Sequence, residues 1–326
     1  MIVRLFKTNQ IYIYAFIPLV LLALRWPVLY GEPPFTPSGQ LPLLSDFFAW
    51  LSDYHFLSLF LGIIAISYQA YELSEVSNEH RLVHYSSNLV AFVLAICYAI
   101  FIPHLWFSPV IMANVFVILS LKRILNIIHQ GNIYGNLFRI GIYIGLASLL
   151  YLPSIFMLLI LFYDLAIIRS FKWREYFIPL VGLITPYVYV LSYYFLNDQS
   201  EIFFNYFIEP KTFLSFLEMI WINWLPSIIL AAILFASFAY LISSGNKRTV
   251  RENNLFKVIT ATMGLSLLLS VIFSKDFMSA TVMMWPSVSL IITYFLLGLE
   301  RNWLRESLVY LLLVAIIARD ILGVLG

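Results

Sequence analysis

Charged residues are scarce in this chain. Lys, Arg, Asp and Glu make up 11% of its 326 residues, whereas hydrophobic residues make up 62%, and the mean hydropathy is +0.91. A soluble globular domain is about a quarter charged, and a soluble chain with this composition would lack the polar surface needed to cover its exterior. The composition therefore excludes an ordinary soluble protein and predicts a polytopic membrane protein.

Cysteine is almost absent, since the single Cys97 lies inside an apolar run. One thiol cannot form a disulfide within the chain or a cysteine metal site. The sequence also lacks a phosphate-binding glycine loop, a His-Glu-x-x-His zinc pattern and a nucleophile elbow. The net charge of +2 gives no sign of nucleic-acid binding, and we expect no nucleic-acid partner. Function must therefore depend on scattered polar groups.

Long apolar runs, by contrast, are abundant. A membrane-spanning helix needs about 20 predominantly apolar residues. We predict an all-α polytopic bundle of about eleven spans, whose basic start lacks a cleavage site and is retained as the first span. The predicted spans are 11–30, 56–73, 88–106, 109–121, 138–152, 154–169, 176–196, 225–243, 256–274, 279–298 and 306–323.

The basic residues sort to one side of this layout. With the N-terminus in the cytoplasm, 15 of the 19 Lys and Arg residues fall in cytoplasmic segments, as the positive-inside rule requires. One cytoplasmic cluster, Lys247, Arg248 and Arg251, would attract anionic lipid. The pattern predicts a cytoplasmic N-terminus, a periplasmic C-terminus and a multi-pass location in the cell inner membrane.

Two longer segments, 31–55 and 197–224, fall on the periplasmic side of the single predicted domain, 1–326. Proline and glycine open the first segment, and its second half has the pattern of an amphipathic helix lying on the membrane. The second segment alternates aromatic and acidic residues irregularly, which is typical of interfacial helices. The predicted apolar side of the first helix consists of Leu44, Phe47, Phe48 and Leu51.

The candidate catalytic residues are acidic side chains of the first periplasmic segment. Asp46 and Asp53 are seven residues apart, so a helix would place them on one face, and Glu32 precedes them. A carboxylate beside a lipid-linked substrate can act as a base or hold a divalent cation. His55 and His104 are candidate substrate-binding residues on the same side, although a lone loop histidine is usually solvated. The alternative is that outer acids simply follow topology.

Charged residues inside apolar runs are costly and indicate function by default. Arg25 and Arg319 lie near the outer ends of the first and last predicted spans. Either guanidinium suits a phosphate headgroup, because its planar donors fork around two oxygens. The alternative is an interfacial anchor or an internal pair. Asp164 lies close enough to Arg169 to predict a local pair.

Two stretches carry a resemblance to a known family. "GLASLLYLPS" and "FKWREYFIPLVGLITPY", both within 135–187, resemble an uncharacterised family of multi-spanning inner-membrane proteins from Bacteroidota. A first span, a loop with acids, an amphipathic helix and then many spans are more distantly similar to the GT-C-class membrane glycosyltransferases. That resemblance implies a lipid-linked sugar substrate and a key acid in the first outer loop.

Three functions follow as alternatives from these observations. The leading hypothesis is a cell-envelope protein that handles a lipid-linked or glycan substrate, such as a polyprenyl-phosphate-linked one, at the periplasmic face. If it is an enzyme, it is a GT-C-like transferase using a lipid-linked donor. The first alternative is a non-catalytic subunit or scaffold that contacts other envelope proteins through 197–224. The second is a lipid or solute transporter, which requires a polar cavity at mid-membrane depth.

Overall fold

The described part of the chain consists of helices. The computed structural model describes residues 6, 14–24, 44–82, 87–100, 106–127, 133–168, 171–201, 203, 224–245, 248–272 and 281–325. These residues form twelve α-helices and two 3-10 segments, Leu152–Phe156 and Val282–Met284, without a strand, so the predicted all-α class is confirmed. In chain order the α-helices are α1 Phe16–Leu24, α2 Ser45–Asp53, α3 His55–Glu79, α4 Leu89–Ile100, α5 Pro109–Ile127, α6 Tyr134–Leu150, α7 Met157–Ile168, α8 Trp173–Leu196, α9 Trp224–Ser243, α10 Val250–Ile272, α11 Trp285–Gly298 and α12 Asn302–Leu325.

Four of the described helices are long and apolar enough to cross a membrane. They are α3, α5, α8 and residues Pro226–Ser243 of α9. The predicted count of eleven is wrong by this criterion, because most of the other described helices, such as α4, α6 and α11, have fewer than 18 residues. The helix in the run 138–152 ends at Leu150, ahead of Pro153, and proline disfavours a helix through the residues before it. The described chain is thus a multi-pass membrane protein by helix length and composition.

Two short helices form the centre of the bundle. Helix α4 has 12 residues, all of them buried, and α11 has 14, of which Trp285–Tyr294 are buried. At about 1.5 Å per residue, α11 is roughly 21 Å long, well short of the ~30 Å hydrocarbon core. The two helices pack against each other, and α1, α3, α9, α10 and α12 contact one or both. A helix that is hydrophobic on every side is buried inside the protein, which explains their position.

Helices α6 and α8 approach each other most closely at three glycines. Gly141 and Gly145 are four residues apart on α6, and Gly182 faces them from α8. A Cβ atom added to Gly141 would lie 2.2 Å from the Pro179 carbonyl oxygen, and one on Gly145 would lie 2.7 Å from that of Leu183. This small-xxx-small spacing lets backbones touch, as in membrane helix pairs.

Apolar side chains also cover the outer surface of the bundle. They project from spanning helices and from α12, where a soluble protein would carry polar groups. This surface supports membrane association of the described chain. Prominent examples are Phe56, Phe60, Val188, Tyr189, Phe235, Ile242 and Val314, which are all exposed.

Candidate functional site

Helix α2 forms where the sequence predicts an amphipathic helix, and it docks through two side chains. Phe48 and Leu51, three residues apart, are both 1% exposed, and the Phe48 ring stacks on Phe107 with centroids 5.7 Å apart. Phe47 is 39% exposed, while Leu44 is half-buried. Adjacent residues point about 100° apart on a helix, so the predicted apolar side divides between the protein interior and the exposed surface.

Both candidate acids of α2 lie on its exposed surface. Asp46 and Asp53 are exposed at opposite ends of the helix, separated by two turns, or about 10 Å of rise. The Ser45 hydroxyl donates to Asp46 Oδ1 over 3.2 Å. Exposure leaves the carboxylate oxygens accessible to hydroxyl donors or a cation, but the two turns between them keep them from sharing one small ion.

A ladder of aromatic rings runs along the same helix and ends at Tyr54, the residue that follows Asp53. The centroids of Phe47 and Trp50 are 6.3 Å apart, and those of Trp50 and Tyr54 are 4.9 Å apart. Trp50 and Tyr54 are about half exposed. Rings with one apolar and one polar part favour the membrane–water interface. We call the group formed by Asp46, Phe47, Trp50, Asp53 and Tyr54 the α2 surface.

Of the other predicted site residues, His55 lies beside the α2 surface. It is the exposed first residue of α3, and its ring meets Trp106 edge to face at 6.2 Å. Glu32, Arg25 and His104 lie outside the described residues, as does most of the segment 197–224.

Arg319 has an internal role in the structure. Its side chain is buried on α12, and its guanidinium donates to the carbonyl oxygen of Ile100 on α4. The arginine therefore links α12 to α4 inside the bundle.

A fully buried polar cluster lies between α3, α4 and α5, and the sequence reading missed it. Gln69 donates to the Ile111 carbonyl over 2.9 Å, and the Tyr98 hydroxyl donates to Gln69 Oε1. Asn114 Nδ2 contacts the Tyr98 hydroxyl at 2.7 Å and the Val282 carbonyl at 3.1 Å. Gln69 and Asn114 each lie within an apolar run, and such residues form hydrogen bonds between helices in membranes. Their positions could therefore have predicted the cluster.

A second polar group surrounds a small cavity between α5, α7, α10 and α11. Ser120, Thr262 and Ser287 are among its mostly apolar lining residues, and the hydroxyl oxygens of Thr262 and Ser287 are 2.7 Å apart. Asp164 lies further along α7 and is fully buried, and neither carboxylate oxygen has a hydrogen-bond partner among the described residues. The predicted partner, Arg169, lies outside those residues.

An ion-pair triad joins α3 and α5 near the ends of their predicted spans. Lys122 Nζ is 2.9 Å from Glu72 Oε2 and 2.5 Å from Glu75 Oε2. The lysine and Glu72 side chains are only 20% and 12% exposed. The sequence alone did not indicate this triad, because Lys122 is 50 and 47 residues away from the two glutamates.

The side chain of Arg248, a member of the predicted basic cluster, points toward the protein interior. Its guanidinium lies 4.8 Å from the Phe256 ring centroid and 4.9 Å from that of Tyr294, and it donates to Ser244 Oγ over 2.6 Å. Arg251 is exposed, and Lys247 lies outside the described residues. Arg248 therefore ties α9, α10 and α11 together.

The described residues contain no group of three or more His, Cys, Asp and Glu side chains that could hold a metal ion. The divalent cation considered for Asp46 therefore has no preformed cluster there. No family model matches the chain, and no curated protein or solved structure shows significant similarity to it.

Proposed function

We propose that this chain is a multi-pass protein of the inner membrane that binds a lipid-linked or glycan substrate at its periplasmic face, on the α2 surface. The observation that carries the proposal is the arrangement of that surface. Two exposed carboxylates and a ladder of exposed rings lie together on, or directly after, a helix that precedes the spanning helix α3.

The chemistry of the α2 surface suits a sugar attached to a lipid. Carboxylates such as those of Asp46 and Asp53 accept hydrogen bonds from hydroxyl groups. The rings of Trp50 and Tyr54 offer broad faces for packing and favour the depth at which a lipid headgroup lies. A helix docked by Phe48 and Leu51 holds these groups at one end of α3.

A GT-C-like transferase is the catalytic form of this proposal. Asp46 then acts as the base or as a ligand of a divalent cation, and Asp53 or Glu32 assists it. The phosphate of a polyprenyl-linked donor pairs with Arg25, while the burial of Arg319 and its hydrogen bond to Ile100 limit its part to a phosphate that reaches the protein interior.

The test is to recover bound lipid with the purified protein. The chain is extracted in mild detergent, and its lipids are analysed by mass spectrometry for polyprenyl-phosphate species. We expect the wild type to retain such lipid and the double variant Asp46→Asn/Asp53→Asn to lose most of it. Glu79→Gln, an exposed acid at the other end of α3, is the matched control and should retain it.

Equal lipid in all three proteins, or none in the wild type, would contradict the proposal. A stoichiometric partner protein recovered in place of lipid would favour the scaffold alternative.

A further inference from the structure

Asp164 stands apart from every other residue of its helix. Helix α7 is otherwise built from apolar, aromatic and alanine side chains, and Asp164 is 0% exposed. Both of its carboxylate oxygens lack a hydrogen bond among the described residues. Buried polar groups are nearly always hydrogen-bonded. This carboxyl group therefore needs a binding partner that α7 does not provide.

The small cavity between α5, α7, α10 and α11 lies on the same side of α7 as Asp164. Met157 and Ile160 line the cavity, and a residue seven positions after Met157 and four after Ile160 projects from the same helix face. The cavity has room for about one water molecule. A water there would have the hydroxyls of Thr262 and Ser287 as partners and would lie about one turn from the carboxyl group.

The charged side chains that the structure describes on the neighbouring helices do not pair with Asp164. Helix α7 packs against α5, α6, α8 and α10. None of the acidic or basic residues that the structure describes on those helices forms a salt bridge with Asp164, and Lys122 is bound by Glu72 and Glu75. The residues concerned are Lys122 and Arg123 on α5, Arg139 on α6, Arg174 and Glu175 on α8, and Arg251, Glu252 and Lys257 on α10.

We propose that Asp164 is a proton-binding site inside the membrane bundle, which takes up a proton in the folded protein and exchanges it through the adjacent cavity. An isolated carboxylate in an apolar interior is strongly disfavoured, and such a group neutralises by binding a proton. The neutral acid also gains an O–H donor that a cavity water or hydroxyl can accept. This site is separate from the α2 surface, so the proposal about Asp164 does not depend on which substrate the α2 surface binds.

A hydrophobic carbodiimide tests the proposal on the wild-type protein in detergent. The reagent reacts with protonated carboxyl groups in apolar surroundings. The acid proton moves to one carbodiimide nitrogen and the carboxylate oxygen adds to the central carbon, and an acyl shift to nitrogen then leaves a stable N-acylurea without a leaving group. Peptide mass spectrometry locates the adduct.

We expect the adduct on Asp164 at neutral pH and not on the exposed Asp46 or Asp53. Its rate of formation should fall by about tenfold per pH unit once the carboxyl group ionises. The Asp164→Asn variant should lose this adduct. If that variant does not fold, the labelling of the wild type and its pH dependence still test the proposal.

Three results would overturn the proposal. One is an Asp164 that stays unlabelled at every pH in the folded protein but reacts after unfolding. Another is labelling that appears only in Arg169→Ala, which would assign the carboxylate to a local ion pair. The third is labelling suppressed by sodium ions and unaffected by pH, which would make the occupant a metal cation.

Discussion

The Tyr187 hydroxyl on α8 donates a hydrogen bond of 2.7 Å to Ser148 Oγ on α6. Ser148 in turn donates to the carbonyl oxygen of Gly145 over 2.8 Å. The bond lies close to the glycine contact between the two helices, so close backbone packing and a polar link act together at one crossing.

The first prediction concerns the glycine contact of this crossing. Gly141→Ala should destabilise the protein by about 1–3 kcal/mol or more, because the added methyl group would overlap backbone atoms that cannot move aside. Thermal unfolding in detergent measures the effect. Gly264→Ala is the control, since nothing lies within 4 Å of its Cβ position, and it should be neutral or stabilising. Similar unfolding temperatures for the two variants would refute the close contact.

The second prediction concerns the buried polar cluster. Asn114→Ala should cost about 2–3 kcal/mol, because it leaves the Val282 carbonyl without the donor that the asparagine supplies and opens a small void. The control is Asn197→Ala, an exposed residue whose amide bonds only to Tyr193 of its own helix, and it should change stability by no more than about 0.5 kcal/mol. Equal losses would show that the cluster does not join the helices.

The third prediction concerns the ion-pair triad. Lys122→Met should destabilise the protein by about 2 kcal/mol, since it leaves the nearly buried carboxylate of Glu72 without a cation. Adding Glu72→Gln should restore part of that loss, because the uncompensated charge is then gone. A double-mutant cycle of unfolding free energies measures the coupling. Additive effects of the two substitutions would rule out the pair.

The fourth prediction concerns Arg248. Arg248→Lys keeps the charge but loses the planar guanidinium that packs on Phe256 and Tyr294, so we expect a loss of about 1 kcal/mol. Arg251→Lys, at an exposed position three residues on, should leave the unfolding temperature unchanged. A lysine that substitutes fully at position 248 would show that the ring contacts contribute nothing.

The fifth prediction tests the orientation of the chain. Cys97 is fully buried, so an impermeant maleimide should not label the wild type in intact cells. In a Cys97→Ala background, Tyr54→Cys should be labelled from the periplasmic side and Glu79→Cys only after the membrane is opened. Both positions are exposed at opposite ends of the 25-residue helix α3. Labelling of both without opening the membrane would contradict the crossing.

The sequence predicted the helices better than their lengths or their partners. Apolar periodicity and run length located α2 and α3 because such patterns depend on local spacing. The short helices α4 and α11 read as full spans, since hydropathy does not distinguish lipid from a protein interior. The triad of Lys122, Glu72 and Glu75 could not be found, because tertiary packing alone brings residues so far apart in the chain into contact.

The sequence also predicted only part of the candidate site. The spacing of Asp46 and Asp53 predicted that one helix carries both, and it does. The burial of Asp164 and the hydroxyls across from it depend on how four helices assemble, which one sequence does not specify.

The contact between Arg319 and α4 has a consequence for biosynthesis. Arg319 follows Ile100 by 219 positions, so a ribosome must add all of these residues before the hydrogen bond between α12 and α4 can form. Until then α4 has only earlier neighbours such as α1 and α3 to pack against. The contact between α4 and α12 is therefore a late step in the assembly of the bundle.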